Sequence, residues 1–509
     1  MFNTAGMRFM WRVFFALSVV PLVGVLGACT HAPTDEPGKP ENWVVENVVS
    51  KSTAELYAEW VKPAVFERSS SKVINGYTVE SGKLRMPDKS EGALVTVRSP
   101  DGGLTAFINK PETSGSLHID SKGAGRFIPV SDDNSDIEDT VPNPNEKVAT
   151  APAKSTNAEP LVVEILMGYS KAGVVRAGGD AMADALAKIE YVNLALRNSL
   201  VTNVLFKLVG IQIVEQDQQI TNDTLNKLST IFALGIARFN PDVFYGSFAS
   251  FAPSGPAGIA WRPGRIGIAI SHSFPTFAHE LAHNAGSDHC NVNGVNDYRF
   301  GYYNGKTGTM LCVQNRQAYF SNPDVKDEYG LPRGNAVTAN TARVWRENAQ
   351  RLSSYTPPSP YANLSANIIG PSPDSNYSIG CLKGTVMSGR GHEGRMNSGS
   401  TNYLCVLPKV GSATVSLTQQ VWSGWGHTDV YCPANSVLNG IEQKGTQLRA
   451  GCTKLVASGS AVTVRYAGSH GNFDEGNHQF ACPTGQYITS IRSTGPSGEF
   501  KAYDCATLH

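Results

Sequence analysis

Residues 279–289 read His-Glu-Leu-Ala-His-Asn-Ala-Gly-Ser-Asp-His, and no other stretch of this 509-residue chain restricts its fold as much. Residues four apart share a helix face, so His279 and His283 present two imidazoles to one point. Glu280 lies off that line. It suits holding a water and removing its proton better than it suits ligation. Gly286 falls where a helix ends in a left-handed turn, which glycine adopts most cheaply. The chain then doubles back, and His289 brings a third nitrogen. Three protein ligands leave a fourth zinc position open, as in catalytic rather than structural sites. Ser273 is placed to cap this helix and Pro275 suits its first turn. Phe274, Phe277, Ala278, Leu281 and Ala285 give it an apolar face. H-E-x-x-H alone recurs by chance; the glycine and third histidine in register argue for a metal.

The motif resembles that of the metzincin zinc endopeptidases. Thr307-Gly308-Thr309-Met310 matches the methionine turn of that family, and Tyr319-Phe320-Ser321-Asn322-Pro323-Asp324-Val325 is similar to the wall segment of reprolysin-like members and bacterial peptidyl-Asp metallopeptidases. The resemblance implies an α+β or α/β catalytic domain, with a mixed, mostly parallel sheet and a zinc helix. It implies one catalytic Zn2+ on His279, His283 and His289, Glu280 as the catalytic base and acid, and Met310 packed beneath the metal. A structural Ca2+ is left open. Peptidyl-Asp relatives prefer an acidic residue after the cut bond, which makes Arg316 and Tyr319 candidate pocket residues. Some metzincins carry a tyrosine two residues after the methionine; this chain has Cys312 there.

The chain is too long for one ordinary core. Lys plus Arg and Asp plus Glu both number 43, so no basic excess points to nucleic acid. Charged residues make up only 17%, while Gly (50) and Pro (29) are abundant, which suits a loop-rich, exported β protein. Eight of the nine cysteines lie beyond residue 289, an even set that suggests disulfides.

Residues 1–29 read as a lipoprotein signal peptide. Arg8 and Arg12 precede an apolar run that ends Leu26-Gly27-Ala28-Cys29, a lipobox-like sequence. Cys29 would be lipidated, anchoring the chain to a bacterial outer membrane or cell surface, or the protein is secreted. Residues 30–42 form a tether and 43–130 a β-rich domain, with a hairpin around Pro100-Asp101-Gly102-Gly103. This domain is similar to the propeptide of the peptidyl-Asp enzymes, implying a zymogen. It lacks cysteine, which excludes a cysteine switch; Asp132, Asp133 and Asp136 are candidate metal caps by position only, and the competing and preferred reading is that they are solvated linker acids. Residues 131–158 read as a flexible, cleavable linker.

The catalytic domain spans 159–355. Strands are expected at 161–167, 204–214, 241–246, 258–261 and 266–270, and helices at 180–198, 223–233 and 336–352. In metzincins the 258–261 strand is the edge that pairs with extended substrate. His272 precedes the zinc helix and is expected to point away. A Cys290–Cys312 bridge would tie the third histidine to the methionine turn, contributing about 3 kcal/mol by loop closure.

Residues 356–378 read as a Pro/Ser linker, and 379–509 hold three repeats of about 50 residues. Cys381, Cys432 and Cys482 open them; Cys405, Cys452 and Cys505 close them. Pairing within each repeat (Cys381–Cys405, Cys432–Cys452, Cys482–Cys505) gives an all-β pseudo-threefold domain, one of many connectivities open to six cysteines. The pattern resembles vitelline membrane outer layer proteins, which suggests glycan binding through Trp422, Trp425 and Tyr431. The expected function is a zinc endopeptidase acting on proteins or glycoproteins. The rivals are a surface adhesin or glycan-binding protein, and a non-peptidase zinc hydrolase.

Overall fold

The computed structural model describes residues 42–111, 113–130, 139–148, 159–252, 255–359, 366–374, 376–395, 398–411, 413–426, 429–494 and 500–509. Cys29 and Asp132, Asp133 and Asp136 lie outside them. Among the described residues no helix is long and apolar enough to cross a membrane.

Seven antiparallel strands come first: β1 (Asn42–Val44), β2 (Val65–Ile74), β3 (Tyr77–Arg85), β4 (Glu91–Arg98), β5 (Leu104–Lys110), β6 (Thr113–Ile119) and β7 (Ala124–Pro129). They lie in the order β1-β7-β6-β5-β4-β3-β2. The expected hairpin joins β4 to β5, with Gly102 at φ +91° in the turn. Helix α1 (Thr53–Val61) is fixed by a reciprocal capping box between Ser52 and Glu55. It closes one face of the sheet over Leu84, Leu94, Ile108 and Leu117.

The centre of the other face is covered too. It packs on α3 (Ala181–Asn198), which follows β8 (Thr140–Pro142), β9 (Leu161–Ser170) and α2 (Lys171–Arg176). Every α3 residue from Ala181 to Leu196 is buried, polar ones included. The reason is a second layer: β10 (Val204–Val214) and its neighbours cover the opposite side of the helix. Glu190 of α3 is neutralised from both directions, by Arg197 (2.8 Å) and by Lys72 (2.5 Å) of β2. Tyr77, Val79, Val95, Val97 and Phe107 of the first sheet share one core with the α3 apolar residues.

Further elements of this half include α4 (Asn222–Ile231), α5 (Ala233–Phe239), β11 (Val243–Phe248), β12 (Gly258–Arg262), β13 (Ile266–Ile270), α6 (Phe274–Ala285) and α7 (Thr341–Leu352). Two expected helices differ. The 223–233 helix is broken at Phe232, whose ring sinks over Gly168 of β9, where a Cβ would come within 2.3 Å of it. The closing helix starts at Thr341 rather than 336. Asn340 caps it, and Asn335 and Ala339 exchange backbone hydrogen bonds in a turn just before.

A ten-stranded sheet runs through the molecule. With β14 (Ala366–Pro373), β15 (Val386–Glu393), β16 (Ser400–Val406) and β17 (Asn477–Ala481), its order is β17-β15-β16-β14-β10-β9-β11-β13-β12-β8. Strands β14, β10, β9, β11 and β13 are parallel and β12 is antiparallel to β13. The stretch 356–378, expected as a linker, therefore contributes a central strand. The 131–158 linker likewise contributes β8, paired parallel to β12.

All four expected disulfides are present: Cys290–Cys312, Cys381–Cys405, Cys432–Cys452 and Cys482–Cys505. In each C-terminal repeat a hairpin (386–406, 436–457, 486–508) receives the strand that leads into another repeat. Each hairpin has a bulge at the same place, at Ser388, Asn439 and Thr489. The backbone N–H of the leading cysteine closes each bulge: Cys482 to Ser388 O (2.7 Å), Cys381 to Asn439 O (2.8 Å) and Cys432 to Thr489 O (2.9 Å). The repeat is thus a repeat of hydrogen bonding as well as of sequence.

Candidate metal centre

Helix α6 begins at Ser273, whose side chain accepts from Thr276 N, with Pro275 in the first turn. It ends at Gly286, at φ +109°. Arg351 of α7 seals that end, donating from Nη2 to the carbonyls of Asn284 (2.7 Å) and Ala285 (3.1 Å). The other end is positioned by Lys188, which donates to Ser271 O at 2.6 Å while paired with Asp184. The helix carrying the two spaced histidines is therefore held at both ends by basic side chains, Lys188 buried and Arg351 part-buried.

The rings of His279, His283 and His289 converge, with centroids 4.6, 4.8 and 5.2 Å apart. His279 Nδ1 lies 3.2 Å from Met310 O and His283 Nδ1 lies 2.9 Å from Ser287 O. A carbonyl only accepts, so both Nδ1 atoms carry the proton and both Nε2 atoms are bare lone pairs. These Nε2 atoms are buried and have no hydrogen-bond partner. A carboxylate faces them: Asp139 stands 3.2 Å from His279 Nε2, 3.4 Å from His283 Nε2 and 2.7 Å from His289 Nε2. Buried lone pairs facing a part-buried anion repel one another unless a proton or a cation lies among them. The four ligand atoms lie within 4.8 Å of one another. Three imidazoles and one carboxylate suit a divalent metal such as Zn2+.

Burial lowers the His279 pKa to about 4, against the pull of Asp139. Burial acts the same way on His289, but hydrogen bonding to Asp139 and the charge of Asp139 outweigh it and raise the value. Burial works against the charge of Asp139 too, yet the imidazoles, His279 foremost, hold its carboxyl far below the usual range.

Glu280 is fully buried, and both its carboxylate oxygens lack partners. Burial raises its pKa well above the ordinary value; the charge of Asp139 adds to this and that of Arg316 opposes it. Gly258 makes its room, since a Cβ there would lie 2.5 Å from Glu280 Oε1. Met310 is fully buried, and its N–H donates to Tyr319 O at 2.7 Å. Cys312 is bonded to Cys290, one residue past the third histidine.

The cap differs from those candidates. Asp132, Asp133 and Asp136 lie outside the described residues, and it is Asp139 that reaches the histidines. It gets there because Thr140–Pro142 adds to the β12 edge: Ala260 N donates to Asp139 O at 3.0 Å, fixing the residue beside the cluster. Tyr319 does not face an open pocket. Its hydroxyl donates to Glu91 of β4 at 2.9 Å, and its ring is covered by the Arg333 guanidinium at 3.9 Å. His272 stays out of the cluster, accepting from Arg176 Nε at 2.9 Å. In the C-terminal region, Trp422 and Trp425 each give a ring face to Arg449, at 4.9 and 4.8 Å.

No family model and no curated protein matches this chain. Among solved structures it is similar to a chain described as "Structure of a chaperone-substrate complex", at 18% identity and a TM-score of 0.35; the match covers 52% of this chain and 41% of that one. It is also similar to metalloproteinase-II from Bacteroides fragilis, at 12% identity and a TM-score of 0.32, covering 54% of this chain and 94% of that one. At these values neither likeness decides fold or activity.

Proposed function

We propose that the chain is a zinc-dependent endopeptidase of the metzincin type, held latent by its own N-terminal region. The observation that carries this is the convergence of two proton-free, buried Nε2 atoms and His289 on the Asp139 carboxylate, beside a partnerless Glu280. His279, His283 and His289 would hold the zinc. When bound, it supplies a Lewis acid for the peptide carbonyl and lowers the pKa of the attacking water. Asp139 takes the place that water needs. Once it leaves, the Glu280 carboxylate accepts the proton of an entering water and delivers it to the leaving amine. Departure of β8 also bares the β12 edge, where an extended substrate pairs through its backbone whatever its sequence. Tyr319 is committed to Glu91 in this state. Arg316, whose charge reaches Glu280, remains the candidate reader of an acidic residue after the cut bond.

The chain is exported, by lipidation of Cys29 or in secreted form. Its substrates are proteins or glycoproteins, and its C-terminal repeats offer a glycan contact through Tyr431 and the exposed face of Trp425. The test is a casein digest with activated protein, with and without chelator, beside Glu280→Gln. Cleavage is expected to vanish with chelator and return with zinc, and Glu280→Gln is expected to retain stoichiometric zinc without cutting. Proteolysis that survives zinc removal, or a fully active Glu280→Gln, would reject the assignment.

A further inference from the structure

We propose that Arg351 and Tyr355 form a carboxylate-binding subsite of the substrate groove, so that the enzyme favours polypeptides carrying Glu or Asp several residues before the cut. This rests on the peptidase reading above.

The β12 edge is already paired with a piece of this chain, and the residues that follow place an acid in this position. After β8, Asn143 N donates to Arg262 O at 3.2 Å, and a turn closes from Glu146 N to Asn143 O at 3.4 Å. The turn delivers the Glu146 carboxylate to the Arg351 Nη1 group at 3.0 Å and to the Tyr355 hydroxyl, while Asn143 Nδ2 donates to its other oxygen at 3.3 Å. A hydroxyl and a guanidinium meeting on one carboxylate oxygen is a charge-assisted arrangement, stronger than a neutral pair.

The receiving side is preformed. Arg351 is held by Asn284 O, Ala285 O and Asn348 Oδ1 (3.0 Å), and donates to the Tyr355 hydroxyl at 2.5 Å. The Arg265 guanidinium lies over the Tyr355 ring at 4.8 Å. All these partners belong to residues 264–355, so none leaves with residues 139–148. When that segment departs, the pocket loses its anion and keeps its shape, and its side chains need little reordering to take another.

The side of the cut follows from strand direction. β8 runs parallel to β12, with Thr140 opposite Ala260 and Pro142 opposite Arg262. A substrate pairing antiparallel to β12 runs the other way, so the Arg262 end meets its N-terminal side. The Arg351–Tyr355 pocket lies past the Arg262 end of the pairing, beyond the turn that starts at Asn143, so it falls several residues before the scissile bond.

The test uses the zinc-loaded full chain after activation by limited proteolysis, and a fluorogenic peptide series. Each peptide carries Glu or Gln at one position along the N-terminal side. Roughly tenfold higher kcat/KM for Glu at one such position is expected, mostly through KM and weakened by salt. Tyr355→Phe removes only the hydroxyl and should lower the Glu-to-Gln ratio several-fold. Arg351→Gln should bring it near one; because Arg351 also seals α6, its zinc content is measured alongside. Equal cutting of Glu and Gln peptides at every position overturns the subsite while leaving the peptidase reading intact. So does a Glu preference that Tyr355→Phe and zinc-replete Arg351→Gln both retain, since Glu146 would then be a latch alone. Failure to cut any peptide overturns both.

Discussion

Asp139 meets the whole histidine cluster with one side chain, and on the proposed function it is the residue that holds the enzyme latent. Its carboxylate faces three imidazoles, and its carbonyl is hydrogen-bonded to the strand beside them. Replacing it with alanine removes the charged contact but leaves β8 paired. A charge-assisted contact is worth about 1.5–3 kcal/mol, so Asp139→Ala in the uncleaved chain should raise basal casein hydrolysis by roughly ten- to a hundredfold. Unchanged basal turnover would mean that strand pairing, not the carboxylate, enforces latency. The sequence marks the residue faintly. Asp139 stands directly before Thr140-Val141-Pro142, a short β-prone run ending in proline, whereas Asp132, Asp133 and Asp136 have no such neighbour. Gly258 is another residue whose role is spatial: only the approach of Glu280 across the layer shows why a side chain is excluded there.

At the scale of elements, the contact between β6 and the segment entering α6 is sensitive to acid. His118 of β6 is buried, and burial, helped by the charges of Arg126 and Lys188, lowers its pKa to about 3. Burial and Arg176 lower His272 to about 3 as well. Ser116 of β6 donates to His272 O at 3.3 Å, so both rings sit at the same junction. Each ring stays neutral when folded and takes a proton near its ordinary pKa of about 6.5 when unfolded. The unfolded state therefore binds more protons between pH 6.5 and 3, and their contribution to stability is lost as pH falls through that window. The urea midpoint of the full chain should be lower at pH 5 than at pH 7.5, and His118→Gln should flatten the difference. A midpoint at pH 5 equal to or above that at pH 7.5 would contradict this. Periodicity revealed α6, β10 and β13 closely, because their apolar patterns match their burial. It could not reveal the break at Phe232, which depends on Gly168 far back in the sequence, nor β14, whose Pro371 and Pro373 read as linker.

Across the whole molecule, the ten-stranded sheet makes the C-terminal repeats part of the scaffold. β14 pairs with β10, Gln212 donates to Gly370 O at 3.1 Å, and Lys383 bridges Asp101 of the first sheet (3.2 Å) and Asp180 at the α3 cap (3.6 Å). A chain stopped at residue 355 would bare the β10 edge and the apolar side chains beneath it. Such a truncation should give largely insoluble protein without a cooperative thermal transition; a soluble, cooperatively melting product would show that the repeats are dispensable. Legible in local spacing were the three histidines that cluster and the four expected cysteine pairs, because histidine spacing on a helix and cysteine spacing in a repeat are local properties. Which acid meets the histidines, where Tyr319 points and which strand borders β10 follow from packing alone. Those outcomes depend on edges and faces that residues far apart in sequence share only after the sheets have packed.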